Sequence, residues 1–407
     1  MQHAKSAQFQ LAQTQSGQTQ SVQILGHTVS GMGEKSLALK FSRALGAAGY
    51  KVAPVVDILE FLGKDYEPMA QLNYGLADAN SPLLENLGEA PYLEESDLLL
   101  ILSWSFSVAA LCGTGVHRSR PTAVKLYAHH PNERILARLY EPVDLVITES
   151  LLGNERAYRY GIDPGKILYL PHSYPDEYEN LCASRGYVKS LAAAQGKSLR
   201  KTTRVIGCVG RLEYGKNCEW AVEAVRLLAA EGHDVVLVLK GDFPEHSPHP
   251  DFKPLFSRML QVYQDEPWLL WDPQPTAYPQ VMEEYASFDV LVHPSGAEAA
   301  SHVVVECLGL LKPVVLLDCS TNPYLFKGLA TFVKTEPEIK PAQLPFYVPD
   351  MGALCQALLG DLRPPDAKKV RERFHPSNLQ ARMPLLFERD PKILSELYLE
   401  DCRRYDL

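Results

Sequence analysis

The sequence predicts an α/β protein built from two doubly wound domains. The chain has 407 residues, whereas a single hydrophobic core stops growing at roughly 250 to 300 residues. Short apolar runs of strand length alternate with stretches of helical spacing, which is typical of open parallel sheets. The clearest example lies at residues 288–317, where an apolar run, a loop, a helical stretch and a second apolar run form one βαβ unit.

The composition excludes several classes of protein. Hydrophobic residues make up 46% and charged residues 22% of the chain, as in ordinary soluble proteins. A net charge of −9 argues against sequence-independent binding of nucleic acid. The eight cysteines are spread singly, without the spacing of a metal site, which favours a reducing compartment and therefore the cytoplasm. Since the apolar runs are too short to span a bilayer, we expect no integral membrane association, and peripheral contact stays open.

The first domain is expected at residues 21–180, after a flexible polar tail at residues 1–20. Its first strand is followed by a turn that contains Gly31 and Gly33, and then by a helix at residues 34–48. Such a turn lets a ligand approach the backbone and the helix N–H groups, although many similar turns are only tight turns.

Two histidines, His129 and His130, follow a later apolar run of the same domain at residues 123–128. Ligands of open parallel sheets lie beyond the carboxyl ends of the strands, so either histidine is a candidate site residue. A solvated histidine pair is the alternative.

The second domain is expected at residues 204–375, after a helical or mobile connector at residues 181–203. Its first strand is followed by Gly210 and Arg211, and then by Lys216 just before a helix. Two cations in a glycine-containing loop at a helix N-terminus suit a diphosphate, and they would stabilise it without magnesium. The alternative is that both cations are merely solvated.

Two carboxylates mark the βαβ unit described above. A helix is predicted at residues 297–311, with Glu298 at its start and Glu306 eight positions later. At roughly 3.6 residues per turn the two side chains would share one face. Glu306 lies among apolar residues, where a carboxylate is costly without a partner, and sugar hydroxyls are suitable partners. The alternative is that Glu298 only interacts favourably with the helix dipole and that Glu306 is merely solvated.

The pattern of Glu298, seven residues and Glu306, after Pro-Ser and before Pro-Val-Val, resembles retaining glycosyltransferases of family 4, which have the GT-B fold. The resemblance implies two Rossmann-like domains that face each other across a cleft, with the donor on the second domain and the acceptor on the first. It also implies that residues 376–407 form a C-terminal helix that crosses back to the first domain. In that family the first Glu contacts the donor sugar and the second contacts the ribose.

The resemblance assigns further residues to the site. It implies catalytic roles for Arg211 and Lys216 on the diphosphate and for His129 or His130 beside the sugar. The implied donor-binding residues, besides Glu306, are Gly31, Gly33, Gly210, Lys240, Gly241, Ser295, Ala299, Ala300 and Ser301. The chain departs from the family at Ser301 and Leu311, which stand where glycines are usual, and these departures bear on the identity of the donor.

The function implied is transfer of a hexose-type sugar from a nucleoside-diphosphate sugar, such as a UDP- or GDP-sugar, to an acceptor hydroxyl. The acceptor would be a small molecule, an oligosaccharide or a polysaccharide, and neither a metal ion nor a cofactor is expected. One alternative keeps the fold but is a phosphorylase or a nucleotide-sugar epimerase. The other is a non-catalytic homologue that binds nucleotide sugars, as the two departures would allow.

Overall fold

The structure, a computed structural model of the chain, divides into two compact units. The first comprises Met1–His172 together with Pro376–Leu407, and the second comprises Ser173–His375. The structure describes residues 19–26, 32–57, 96–102, 120–125, 143–150, 153, 155, 157, 159, 161–179, 181, 183–244, 251–276, 278–296, 298, 300–338 and 346–404. The tail at residues 1–18 therefore lies outside the described residues.

The first unit contains a parallel sheet in the order β2-β1-β4-β5-β6-β7, with β3 paired to β1. Its central strands are short and mostly apolar, and their residues are buried, as expected for a parallel sheet that is covered on both faces. After the first helix, residues 51–57 form two short strand pieces and not one continuous strand. The described elements are β1 (Ser21–Gly26), α1 (Met32–Ala47), β2 (Lys51–Val52), β3 (Val56–Asp57), β4 (Leu98–Leu102), β5 (Thr122–Lys125), β6 (Leu145–Thr148) and β7 (Ile167–Tyr169).

The second unit contains a parallel sheet in the order β10-β9-β8-β11-β12-β13, with hydrophobic clusters on both faces. Its elements, in chain order, are α2 (Gly186–Ala194), β8 (Arg204–Val209), α3 (Cys218–Ala230), β9 (Val235–Lys240), α4 (Phe252–Tyr263), β10 (Leu269–Asp272), α5 (Tyr278–Ala286), β11 (Val290–His293), α6 (His302–Gly309), β12 (Val314–Leu317), α7 (Asn322–Leu325), β13 (Thr331–Val333), β14 (Thr335–Glu338), β15 (Phe346–Pro349), α8 (Met351–Leu359) and α9 (Ala367–Phe374).

The predicted connector at residues 181–203 contributes a helix to the second unit. In α2 the side chains of Val188 and Ala192 are buried in the same hydrophobic cluster as Val236 and Val238 of β9. Apolar spacing over only nine residues is a weak signal, so the sequence did not show that this helix packs against the sheet.

The C-terminal segment contains α10 (Pro376–Gln380), α11 (Leu385–Glu388) and α12 (Pro391–Arg404). A single helix was expected within residues 376–407, but the chain forms three helices there. Arg389 has a φ of 49°, in the left-handed region, and Pro391 follows it at the start of the next helix. The chain therefore turns between two helices, whose side chains complete the core of the first unit.

The predicted helix at residues 297–311 is shorter in the structure. Helix α6 begins at His302, and the Ser301 side chain caps it by accepting a hydrogen bond from the backbone N–H of Val304 at 3.4 Å. Glu298 consequently lies in the loop before the cap. Glu298 and Glu306 therefore do not share one face of a helix as predicted, because only Glu306 is helical.

The predicted α/β class with two doubly wound, Rossmann-like units is confirmed by the two parallel sheets. Among the described residues, no helix combines the length and the apolar character that crossing a membrane requires.

Candidate active site

Glu298 is the centre of the candidate site, in the loop that joins β11 to α6. Its side chain is mostly buried, and the whole residue is 8% exposed. Lys216 donates a hydrogen bond from Nζ to Glu298 Oε1 at 2.6 Å. His293 Nε2 lies 3.0 Å from the same oxygen. One group from the loop between β8 and α3 and one from the end of β11 therefore hold one oxygen of one carboxylate.

The backbone of Glu298 is held by the loop that follows β12. Its N–H donates to Ser320 Oγ at 3.2 Å. Its carbonyl oxygen accepts hydrogen bonds from Ser320 Oγ at 2.8 Å and from Thr321 Oγ1 at 3.0 Å. The position of the carboxylate is therefore defined from the backbone as well as from the side chain, as a preorganised site requires.

The electrostatics of Glu298 favour an ionised carboxylate. Burial by itself acts to raise its pKa, but the charge of Lys216 and the hydrogen bond to His293 outweigh burial and hold the pKa well below its usual value. At neutral pH the group is therefore an acceptor of hydrogen bonds, which is the form that can bind hydroxyl groups.

The loop between β8 and α3 is bonded directly to the loop that carries Glu298. The carbonyl oxygen of Gly215 accepts from the N–H of Gly296 at 2.9 Å and from Ser295 Oγ at 3.3 Å. Asn217 Nδ2 donates to the carbonyl oxygen of Pro294 at 3.0 Å. The sequence-predicted loops at residues 210–217 and 294–298 are therefore one connected structure.

Arg211 lies on the same loop as Lys216 but does not contact Glu298. Its guanidinium pairs with Glu213 Oε1 at 3.0 Å, and its side chain is 54% exposed. The structure thus brings Lys216 and Glu298 together and leaves Arg211 at the surface of the loop, with a planar cation open to solvent.

The strands β8 and β9 approach each other closely where they end. The N–H of Gly210 donates to the carbonyl oxygen of Lys240 at 3.0 Å. A Cβ atom on Gly241, whose φ is 141°, would lie 1.9 Å from the carbonyl oxygen of Gly210. Glycine is therefore required at position 241 for the close approach of the backbones.

The Lys240 side chain does not lie on the open side of the site. The sequence assigned it to donor binding, but the residue is 2% exposed and its ammonium is paired with Asp272 and Glu284 inside the unit. The charge of this side chain is satisfied by two buried carboxylates, and a role of residue 240 in donor binding stays a prediction.

The remaining predicted residues of the second unit have different surroundings. Ser295 is fully buried and bonded to Gly215, Ala300 packs against the hydrophobic cluster, and Ser301 is the cap of α6. Glu306 is 3% exposed inside α6, and its role with a ribose stays a prediction.

Several predicted residues cannot be placed in the site. Gly31, His129, His130 and Ala299 lie outside the described residues. Gly33 lies in the first turn of α1, at the carboxyl end of β1. Their predicted roles stay predictions.

His293 is a site residue that sequence reasoning missed. It ends the buried strand β11, and its ring contacts Glu298. The sequence contained a signal for His293, because it is a polar residue at the end of an apolar strand. In parallel sheets, ligands bind beyond the carboxyl ends of the strands.

The class of protein can now be stated from the fold and from a family match. Residues 192–340 match the family model described as "Glycosyl transferases group 1". This range contains Lys216, His293 and Glu298, and it lies in the unit whose loops form the candidate site. Together with the GT-B fold, the match indicates a glycosyltransferase enzyme. No curated protein sequence matches the chain.

Solved structures with the same fold cover almost the whole chain. HepE of Anabaena, in complex with UDP and glucose, is similar with a TM-score of 0.61 and 15% identity, over 90% of this chain and 98% of that chain. An α,α-trehalose-phosphate synthase of Burkholderia xenovorans, in complex with glucose-6-phosphate, is similar with a TM-score of 0.59 and 15% identity, over 94% and 100%. A sucrose-phosphate synthase of Thermosynechococcus elongatus is similar with a TM-score of 0.56 and 15% identity, over 95% and 98%. At these identities the likeness establishes the GT-B fold.

Proposed function

We propose that this glycosyltransferase moves a hexose-type sugar from a nucleoside-diphosphate sugar to an acceptor hydroxyl, with retention of the anomeric configuration. The similar structures with UDP and with glucose support a UDP-sugar donor, and a GDP-sugar is the other candidate. The resemblance of the Glu298–Glu306 pattern to family 4 supports retention. The acceptor is a sugar or another small molecule, an oligosaccharide or a polysaccharide.

The observation that carries the proposal is the asymmetry of the Glu298 carboxylate. Lys216 and His293 both bind Oε1. Oε2 makes no hydrogen bond to any residue in the described part of the chain. An ionised carboxylate with one oxygen anchored and the other open can accept hydrogen bonds from the hydroxyl groups of a donor sugar. Because the backbone is also held, the sugar would be oriented without reorganisation of the loop.

The diphosphate of the donor would lie at the loop between β8 and α3. Lys216 has three N–H donors, and only one of them is needed for Glu298. Arg211 offers its exposed guanidinium, which matches phosphate oxygens with two donors. Charge that builds on the leaving diphosphate would be stabilised by these fixed cations, which supports a reaction without a metal ion or another cofactor.

As the resemblance to family 4 implies, the first unit would bind the acceptor. Gly31 and Gly33 would face the donor phosphates and the acceptor, and one of His129 and His130 would lie beside the donor sugar. Glu306 would bind the ribose. The similar trehalose-phosphate synthase is in complex with glucose-6-phosphate, which supports a sugar-type acceptor. A cytoplasmic location is proposed from the singly spread cysteines.

The test is a transfer assay with UDP- and GDP-hexoses and a panel of sugar acceptors. The Glu298→Gln variant keeps the side-chain shape but loses the charge, so we expect the rate of nucleoside diphosphate release to fall by about 10²-fold or more. Glu223→Gln is the matched control, since Glu223 pairs with Arg226 on the surface of α3. We expect it to leave the rate unchanged.

The same assay separates the alternative functions. Release of diphosphate that depends on an acceptor, with an α-linked product from an α-linked donor by NMR, supports the proposal. Turnover that requires inorganic phosphate indicates a phosphorylase, and conversion of the donor without any acceptor indicates an epimerase. Nucleotide binding by calorimetry without any turnover indicates the non-catalytic homologue. Binding that Arg211→Ala does not weaken would contradict the proposed diphosphate site.

A further inference from the structure

A buried polar cluster lies beneath the loop between β10 and α5, outside the group of residues around Glu298. Its centre is Lys240, whose Nζ donates to Asp272 Oδ2 at 2.7 Å and to Thr276 Oγ1 at 2.6 Å. Glu284 Oε1 lies 3.3 Å from the same nitrogen and accepts a hydrogen bond from Thr276 Oγ1 at 2.7 Å. Buried charges cost several kcal/mol unless they are paired, so such a cluster needs an explanation.

The cluster joins the two ends of one short loop. Asp272 is the last residue of β10, and Thr276 lies just before α5. A single ammonium group therefore binds the loop where it begins and where it ends. Asp272 Oδ1 also accepts from the N–H of Gln274 at 3.0 Å, so the middle of the loop is held too.

Helix α2 supports the loop from a second side. Tyr187 donates to Asp272 Oδ2 at 2.8 Å, and Gln195 Nε2 donates to the carbonyl oxygen of Trp271 at 2.8 Å. Trp271 in turn donates from Nε1 to the carbonyl oxygen of Gly241 at 3.0 Å. The loop is thereby connected to the place where the backbones of Gly241 and Gly210 meet.

The charges of the cluster are nearly balanced. Burial acts to raise the pKa of Asp272, but hydrogen bonds from Lys240 and Tyr187 hold that pKa below its usual value. Burial raises the pKa of Glu284, and the contacts with Thr276 and Lys240 offset this only in part. Glu284 Oε2 is buried and makes no hydrogen bond to a described residue. The Lys240 cation thus favours the ionised form of Asp272, whereas burial favours the neutral form of Glu284.

The order of the strands places this loop relative to a donor. The strands run β10-β9-β8-β11. The candidate sugar ligand Glu298 follows β11, and the candidate diphosphate loop follows β8. In a nucleoside-diphosphate sugar the base and the sugar are at opposite ends of the diphosphate. The base would therefore extend over the loops that follow β9 and β10, and the second of these is the loop that Lys240 holds.

We propose that Lys240 is a positioning residue that, through Asp272 and Thr276, shapes the loop at residues 272–276 to select the base of the donor nucleotide. The inference rests on the proposed function. An ion-paired cluster suits this role because paired charges define one geometry, whereas apolar residues of the same volume would serve stability equally well.

The test compares the dissociation constants of UDP and GDP for the full chain by calorimetry. In Lys240→Met, which keeps the length of the side chain, we expect the ratio of the two constants to change at least tenfold. Tyr187→Phe leaves the Lys240 contacts in place, so we expect a smaller change in the same direction. If Lys240→Met does not fold, Tyr187→Phe still tests the inference through the same ratio.

Lys312→Met is the matched control. Lys312 is a second partly buried lysine of the same unit, but it donates to the carbonyl oxygen of Ala286 at 2.6 Å, before the start of β12 and so at the other edge of the sheet. We expect the variant to lose thermal stability and to keep the wild-type ratio.

Three outcomes would overturn the inference. If Lys240→Met weakens both nucleotides equally, or changes neither, then the cluster has only a structural role. If the wild type binds UDP and GDP equally well, the loop does not select the base. If the wild type binds neither nucleotide, the proposed function itself fails, which is a result distinct from the first two.

Discussion

At the scale of single residues, the ionisation of Glu298 depends on two neighbours. Lys216 and His293 contact the same carboxylate oxygen, and together they keep its pKa low although the group is buried. A depressed pKa means that the ionised form is present above the usual carboxyl range, and that it is lost only when the pH falls through the lowered value. The carboxylate of Glu298 should therefore remain ionised in mildly acidic solution.

His293→Phe tests this coupling, because the ring volume is kept while the nitrogen is lost. We expect the pKa of Glu298 to rise, so the acid limb of the kcat/KM profile should move to higher pH. The kcat should fall by about tenfold with little change in the KM for the donor. His233→Phe is the control, since His233 is a surface histidine 3.7 Å from Glu231. An acid limb that stays in place would contradict the assignment.

Glu219 shows the opposite shift. Burial raises its pKa to about 7, and its Oε2 has no hydrogen-bond partner among the described residues. The pKa of Glu219 in the folded state is above the unfolded value, so ionisation of this group disfavours folding. Its contribution to the free energy of unfolding is therefore fully present below about pH 4.5 and is lost as the pH rises through about 7.

Glu219→Gln removes the ionisation and should therefore remove this loss. We expect the variant to be more stable than the wild type at pH 8, by up to about 3 kcal/mol, and to differ little at pH 5. Denaturant unfolding at the two pH values measures the effect. Glu223→Gln should not show this gain at high pH. Equal stability of wild type and Glu219→Gln at pH 8 would show that the carboxylate is adequately solvated.

At the scale of elements, the end of α6 shows why glycine would be preferred at position 311, where this chain has leucine. Leu311 has a φ of 55°, in the left-handed region. The N–H of Lys312 donates to the carbonyl oxygen of Cys307 at 2.9 Å, and the N–H of Leu311 donates to that of Leu308 at 2.9 Å. These two bonds define a Schellman motif, in which glycine is preferred at the position that Leu311 occupies.

Leu311→Gly should therefore stabilise the protein. The left-handed conformation costs a residue with a side chain about 1 to 2 kcal/mol. Glycine avoids this cost but increases the conformational entropy of the unfolded chain, which offsets part of the gain. We therefore expect a net stabilisation of about 0.5 to 1 kcal/mol. Thermal unfolding measures it. Leu310→Gly, at the preceding residue with a φ of −83°, should destabilise instead. A loss of stability in Leu311→Gly would mean that the leucine side chain, although exposed, contributes more than the strain costs.

At the scale of the whole molecule, the C-terminal segment is a structural part of the first unit. Five of its side chains, from Leu379 to Leu394, are buried in the same cluster as β1 and β4. Arg382 also binds Asp401 through two hydrogen bonds of 2.7 and 2.5 Å and donates to the carbonyl oxygen of Tyr169 at 2.9 Å. At about 1.5 to 3 kcal/mol for each buried side chain, the segment contributes as much as the net stability of a typical domain.

Separate expression of the units tests this division. Residues 173–375 contain two hydrophobic clusters of their own, so we expect this fragment to fold and to unfold cooperatively by circular dichroism. Residues 1–172 should fail to fold alone and should fold when residues 376–407 are linked to them. A folded fragment 1–172 would show that the C-terminal helices are dispensable for the first core.

Much of the fold follows from local pattern. The apolar runs that became β8, β9, β11 and β12 are continuous enough to be recognised from sequence, because a strand buried on both faces needs apolar residues throughout. Glu298, Lys216 and Arg211 were recognisable because charged residues follow such strands at the edge where ligands bind. Element ends were less predictable, as at Glu298, where the capping side chain of Ser301 decides where α6 begins.

By itself, the sequence determined the α/β class, the two-unit size and the loops that carry the candidate site. Only the tertiary structure decided that His293 contacts Glu298, that Arg211 remains open to solvent, and that Lys240 is paired inside the unit. The physical reason is that periodicity reports which face of an element is buried, which is a local property. Which charge meets which partner depends on loops that are distant in the sequence and become neighbours only when the sheet is assembled.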